Sequence, residues 1–313
     1  MILCAFALMV ATALALSMGV QPVSVESTGL FFTLKGSLFE ARLSSAAINV
    51  FSLFVMGGIM LALNKVFSYI RSVTRLFVSV FFLLQLANPA GLVSFNAGTL
   101  LGLVTVMLVL PLFASFQDRH SQRNIFLVFA VIAAGSMFHY GFLVLIPAFV
   151  LGFLNMGVFN LKGLLAMLFG LITPFWIVMG MGIVTPADFV MPHVDGIWNL
   201  TDWSDLGMTH ILASLIAVMG IVLAVMNLMT IMNYRMQTRV YNAFFVFVLV
   251  MAIIALCIDF GNVVVYLALL SLMVAVQIAH VHTLRATMPS RFIFLLLIIA
   301  GCLGCYVANQ MMP

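Results

Sequence analysis

The residues best suited to chemistry in this 313-residue chain are carboxylates gathered between two apolar runs. The stretch 184–208 (TPADFVMPHVDGIWNLTDWSDLGMT) holds Asp188, His193, Asp195, Asp202 and Asp205. Carboxylate oxygens at that density suit a divalent cation. A single carboxyl whose pKa is raised by burial would serve as a general base. Asp202 and Asp205 stand three apart, so a helix would carry both on one face. That spacing also describes an ordinary first turn, where acids sit well beside the helix N-terminus. Ser204 or Asp205 would then simply cap a helix beginning near His210. The five are candidate catalytic residues, and a solvated capping loop is the plain alternative.

His139 and Tyr140 sit between two short apolar runs. A histidine at membrane depth points to proton relay or substrate contact; the alternative is an interfacial cap on a tight turn. Glu26 and Arg42 lie in the other long polar segment, roughly 20–45, and join His139 and Tyr140 as candidate substrate-binding residues. From Leu30 to Leu43 that segment mixes apolar and charged residues as a surface-lying amphipathic helix would. No metal ligand set is assigned. Walker A, HExxH and GxSxG sequences are missing, as is any His/Cys cluster with zinc spacing, so no cofactor is expected. Cys302 and Cys305 have CxxC spacing but stand in the last apolar run, where they read as small packing residues.

The elements that must position these groups are apolar. The AVILMFWYC residues make up 65% of the chain and charged residues only 6%, against about 25% charged in a soluble domain. So few charges cannot cover a water-facing surface, so the solvent for most of it is lipid. The net charge of +4 comes without a basic run or aromatic–basic interleaving, so nucleic acid is not a partner. Membrane lipids are.

Hydropathy divides the chain into eleven apolar runs: 2–19, 46–63, 76–87, 97–116, 125–138, 141–157, 163–183, 209–232, 242–258, 263–279 and 292–307. The fold expected is an all-α polytopic transmembrane bundle filling 1–313 as one domain. Run 2–19 has no basic residue before it and reads as a first span, with a signal sequence as the alternative. With the N-terminus inside, ten of the twelve Lys and Arg fall in cytoplasmic connections. Only Lys35 and Arg42 fall outside. The positive-inside rule prefers this orientation, which leaves the C-terminus outside. Seven of the eight acids also fall outside. The pair 125–138 and 141–157 is short and flanked by Arg123 and Lys162, so a re-entrant hairpin fits the charges equally well. The count is eleven spans, or nine plus one hairpin. Asn49, Gln85, Asn88, Asn96, Asn227 and Gln277 lie within or beside the runs, where interhelical hydrogen bonding is their ordinary use. Pro174 is expected to kink its helix.

Several stretches carry a family likeness. Run 76–116 has a short helix, a proline turn and a second helix. After it come Arg123-Asn-Ile-Phe, Gly135-Ser-Met-Phe-His-Tyr, Phe159-Asn-Leu-Lys-Gly-Leu-Leu, Phe169-Gly-Leu-Ile-Thr-Pro-Phe and Leu272-Met-Val-Ala-Val-Gln-Ile-Ala-His280. In this order they resemble a family of uncharacterised multi-spanning inner-membrane proteins of Bacteroidetes, filed as a domain of unknown function, over roughly 46–310. One departure stands out: a basic–aromatic pair of that family is reduced here to Lys162 and Gly163. The resemblance implies location and approximate topology, and no activity. A looser likeness, to polytopic glycosyltransferases and O-antigen polymerases, rests on Phe138-His139 and the many short spans; it implies a lipid-linked sugar substrate at the outer face. Three functions stay open: an enzyme of that type, a transporter or flippase of a neutral or amphipathic molecule, and a scaffold that binds membrane-protein partners.

Overall fold

The computed structural model describes residues 1–21, 27–34, 41–70, 75–118, 120–192, 194–199, 206–231, 234–284 and 290–311. Among these the regular structure is helical apart from one two-residue antiparallel pairing, β1 (Ser27–Thr28) with β2 (Thr33–Leu34). The helices are α1 (Ile2–Ser17), α2 (Arg42–Phe67), α3 (Leu76–Leu86), α4 (Pro89–Leu92), α5 (Ala97–Ala114), α6 (Gln122–Phe138), α7 (Leu145–Asn155), α8 (Leu161–Gly180), α9 (Met208–Ile231), α10 (Met236–Ile258), α11 (Val263–Leu284) and α12 (Ser290–Met311). Six apolar segments among the described residues are long enough to cross a membrane, and five shorter apolar helices accompany them. The eleven fall on the eleven runs read from hydropathy.

Asparagine sets three of the helix starts. Asn88, Asn96 and Asn160 each accept from the main-chain N–H three residues on, at 3.3, 3.0 and 2.8 Å, and so cap α4, α5 and α8. Pro174 leaves α8 unbroken, and Thr173 Oγ1 donates to the Phe169 carbonyl at 2.5 Å in the preceding turn.

Helix α11 is the axis of the bundle. Every residue from 263 to 280 is buried inside the protein. α9, α5, α10 and α3 surround it. Contact with α5 is close: a Cβ on Gly98 would stand 2.6 Å from the Val265 carbonyl oxygen. At the opposite extreme is α8, which packs mainly on α6 and leaves Phe169, Ile172 and Trp176 exposed.

The connections sort into two ends. At one end the Leu30 N–H donates to the Ser136 carbonyl, Val190 N–H to the Leu30 carbonyl, and Gly261 N–H to the Asp195 carbonyl. Phe95 N–H donates to Ser45 Oγ there, and the His210 ring meets Phe260 at 5.0 Å. At the other end Gln117 N–H donates to the Met156 carbonyl and Tyr241 Oη to the Phe113 carbonyl. The rings of Phe113 and Tyr241 stack there at 4.0 Å. The tip of the pair 125–157 belongs to the first end and its two feet to the second.

One sequence expectation needs correction. The segment from Leu30 does not begin a surface helix: Gly29 to Leu34 is a turn and an extended strand, and helix starts at Arg42. Backbone pairing with the end of α6 wins over the amphipathic pattern, because Leu30, Phe31 and Phe32 N–H groups all donate to the Ser136 and Met137 carbonyls. The short run 76–87 is matched by α3, 11 residues long, about 16 Å at 1.5 Å per residue. Tyr69 and Ile70 before it and Ala87 and Asn88 after it are all buried.

Candidate functional site

Helix α10 ends at Ile258 because Asp259 leaves helical geometry, with φ −127° and ψ 61°. A single 3₁₀ turn, Phe260–Asn262, then leads into α11. This turn folds the Asp259 side chain inward, where it is 1% exposed. Three neutral donors reach it. Tyr140 Oη donates to Oδ2 at 2.5 Å, Tyr266 Oη to Oδ2 at 3.1 Å, and Asn262 Nδ2 to Oδ1 at 3.0 Å. Asn262 Nδ2 also donates to Tyr140 Oη at 3.0 Å. The group thus ties the α6–α7 connection to the α10–α11 turn through one carboxylate.

Tyr140 is presented by the residue before it. His139 leaves α6 in extended conformation, and its Nδ1 accepts the Gly141 N–H at 2.9 Å. The ring stacks on Tyr140 with centroids 4.8 Å apart. An accepting Nδ1 fixes the tautomer with hydrogen on Nε2. That Nε2 is buried and has no hydrogen-bond partner among the described residues. The 27–34 pairing covers this corner. Gly29 is required there, since a Cβ would lie 2.0 Å from the Met137 carbonyl oxygen.

Of the residues singled out from sequence, the structure brings His139, Tyr140 and Asp195 to this place. Asp195 lies across the 259–262 turn, held by the Gly261 N–H at 3.1 Å. A Cβ on Gly261 would stand 3.2 Å from Asp195 Cβ. Asp188 stands apart. It is exposed and closes its own turn, accepting from Thr185 N–H at 2.7 Å and Thr185 Oγ1 at 2.9 Å. Those two bonds hold its carboxyl below the ordinary range. Its geometry is that of a cap. Arg42 donates through Nη2 to the Val20 carbonyl and fastens the end of α1 to the start of α2. Glu26, His193, Asp202 and Asp205 lie outside the described residues, as does Trp203. Among the described residues no group of three His, Cys, Asp or Glu could hold a metal ion.

Sequence reasoning missed Asp259, Asn262 and Tyr266 as a set. The signal was there: Asp259 and Asn262 are the polar members of a four-residue break between two apolar runs, and no basic residue stands near them in sequence. A connection that short cannot carry its polar side chains away from the bundle.

Beside the cluster the protein opens sideways. A cavity of about 490 Å³ between α6 and α8 is lined by apolar residues that include Phe32, Ala134, Met137, Phe138, Ile177 and Ile183. Phe32 and Phe138 stack at 5.3 Å across its rim. Met137 and Phe138 lead directly into His139 and Tyr140.

Compared with known proteins, residues 16–313 match the model of a family described as "Family of unknown function (DUF6427)". No curated protein and no solved structure matches the chain. The match covers nearly the whole sequence, and the chain belongs to that family.

Proposed function

We propose that this member of DUF6427 is a multi-pass protein of a bacterial inner membrane that handles an envelope lipid or lipid-linked glycan at its outer face. The chain crosses the bilayer eleven times, with its N-terminus in the cytoplasm and its C-terminus in the periplasm. The connection holding Asp259 lies at the outer end.

One observation carries the functional reading: an apolar cavity between α6 and α8 is lined by Met137 and Phe138, the residues that directly precede His139 and Tyr140 of the buried carboxylate cluster. The cavity lies within the roughly 300–1,000 Å³ typical of ligand sites, and it suits a hydrocarbon tail. The cluster suits the head. Asp259 presents carboxylate oxygens held by three neutral donors, with no cation paired to it among the described residues. Such a site accepts hydrogen bonds from hydroxyl groups and repels phosphate, so the head is hydroxyl-rich, as a glycan is. A scaffold role is the second reading, favoured by the open apolar face of α8.

The test is lipid co-purification. Wild-type protein extracted in polymer nanodiscs should carry a hydroxyl-rich or glycan-linked lipid enriched over bulk membrane. Ala134→Trp, which fills the cavity, should lose that enrichment while keeping its melting temperature within a few degrees. Identical lipid content in bulk membrane, wild type and variant would refute the proposal.

A further inference from the structure

A second polar set lies in the half of the bundle away from Asp259. Asn227 of α9, Asn242 of α10 and Gln277 of α11 have no solvent exposure. Asn227 Nδ2 donates to the Gln277 main-chain carbonyl at 3.0 Å and to Gln277 Oε1 at 2.7 Å. Gln277 Nε2 donates to Asn242 Oδ1 at 3.3 Å.

The direction of this amide chain is forced. A main-chain carbonyl only accepts, so Asn227 must turn its NH₂ toward Gln277. Gln277 then meets Asn227 with Oε1 and has only its NH₂ left for Asn242. Asn242 must answer with Oδ1. Flipping any one amide sets two donors or two acceptors against each other. Left over are one acceptor, Asn227 Oδ1, and one donor group, Asn242 Nδ2, each buried and without a hydrogen-bond partner among the described residues. Asn49 shows the contrast. It is equally buried, yet its NH₂ donates to the Gly91 and Leu92 carbonyls and its Oδ1 accepts from Thr99 Oγ1.

The leftover groups select the guest. A cation would satisfy Asn227 Oδ1 and be repelled by the Asn242 NH₂. An anion would meet the opposite fate. A neutral molecule that both donates and accepts can satisfy either end. Toward Asp259 the site is closed by an apolar layer, where a Cβ on Gly220 would meet Val274 at 2.9 Å and Leu249 at 3.1 Å. Toward the other end His280 follows Gln277 by three residues, on the same face of α11.

We infer that Asn227, Asn242 and Gln277 form an internal binding site for small neutral hydroxylic molecules, with water as the resident ligand. The site is separate from the Asp259 cluster and independent of the lipid proposal. Water-edited solid-state NMR tests it on wild-type protein labelled at asparagine and reconstituted in liposomes. Signals are assigned by sequential correlation, so no variant has to fold. Water magnetisation should reach the Asn227 and Asn242 carboxamides at least threefold faster than that of Asn49, and at a rate approaching that of exposed Asn199. Transfer to both as slow as to Asn49 would overturn the inference.

Discussion

Asp259 shows how much one buried carboxylate can organise. Its removal leaves the Tyr140 and Tyr266 hydroxyls without their acceptor and takes one of two bonds from Asn262, and each unsatisfied buried group costs on the order of 1–3 kcal/mol. Asp259→Ala should therefore lower the melting temperature sharply. Asp259→Asn, which keeps one acceptor oxygen, should lose about half as much. Equal losses, or none, in a detergent thermal-shift assay would show that the three donors do not depend on the carboxylate. Asp188 behaves differently because its partner is local. Its carboxyl is depressed below the ordinary 3.8 by the two bonds from Thr185. The sign follows: a depressed pKa means the bonded carboxylate stabilises the turn above the unfolded pKa, and this is lost as pH falls through the lower, folded value. The Thr185 amide proton shift should thus hold constant through neutral pH and move only at a midpoint below 3.8. A midpoint at or above 3.8 would remove the cap. In sequence the two acids look alike, since both are aspartates between apolar runs. Only the length of the connection separates them. A four-residue turn buries its carboxylate, whereas the longer 184–208 stretch has room to cap itself in water.

Among the elements, the eleven apolar runs were legible because hydrocarbon demands backbone self-satisfaction over long apolar stretches, and hydropathy reports that directly. Which helix is central was not legible. Lipid tails are as apolar as leucine, so a helix facing lipid and one facing protein can read alike. α8 and α11 are both apolar runs, yet one is nearly bare and the other wholly enclosed. The 27–34 pairing was hidden for another reason. It is specified by main-chain groups of α6 and by Gly29, and the side-chain pattern that suggested a helix carries no record of either. Substitution should expose the difference between α11 and α8. Gly98→Val drives a side chain into the Val265 carbonyl, and overpacking of this kind costs typically 1–3 kcal/mol. Phe169→Leu on the open face of α8 should change stability by less than about 0.5 kcal/mol. Comparable losses at the two positions would mean that the exposed face of α8 is covered in the membrane by a partner, and that would favour the scaffold reading.

At the scale of the whole molecule, two unrelated properties divide the connections in the same way. Hydrogen bonds and ring contacts put the 27–34, 139–144, 184–199 and 259–262 segments at one end, and the 113–117, 155–156 and 240–241 segments at the other. Counting Lys and Arg along the sequence gives the same partition, with Arg123, Lys162, Arg235 and Arg239 beside the second end. Packing knows nothing of translocation, and the positive-inside bias knows nothing of packing. The remaining question is which end faces the cytoplasm. In a background with Cys4, Cys257, Cys302 and Cys305 replaced, Asn199→Cys and His120→Cys place one thiol at each end, and both native side chains are exposed. An impermeant maleimide added to intact cells with a permeabilised outer membrane should label Asn199→Cys and leave His120→Cys untouched until the inner membrane is opened. The reverse pattern would invert the protein and put Asp259 on the cytoplasmic side. His139→Cys would not serve for this test, because that position is sealed beneath the 27–34 pairing at 1% exposure. It should stay unlabelled from either side, and its labelling in intact protein would mean that the cover over the Asp259 cluster opens.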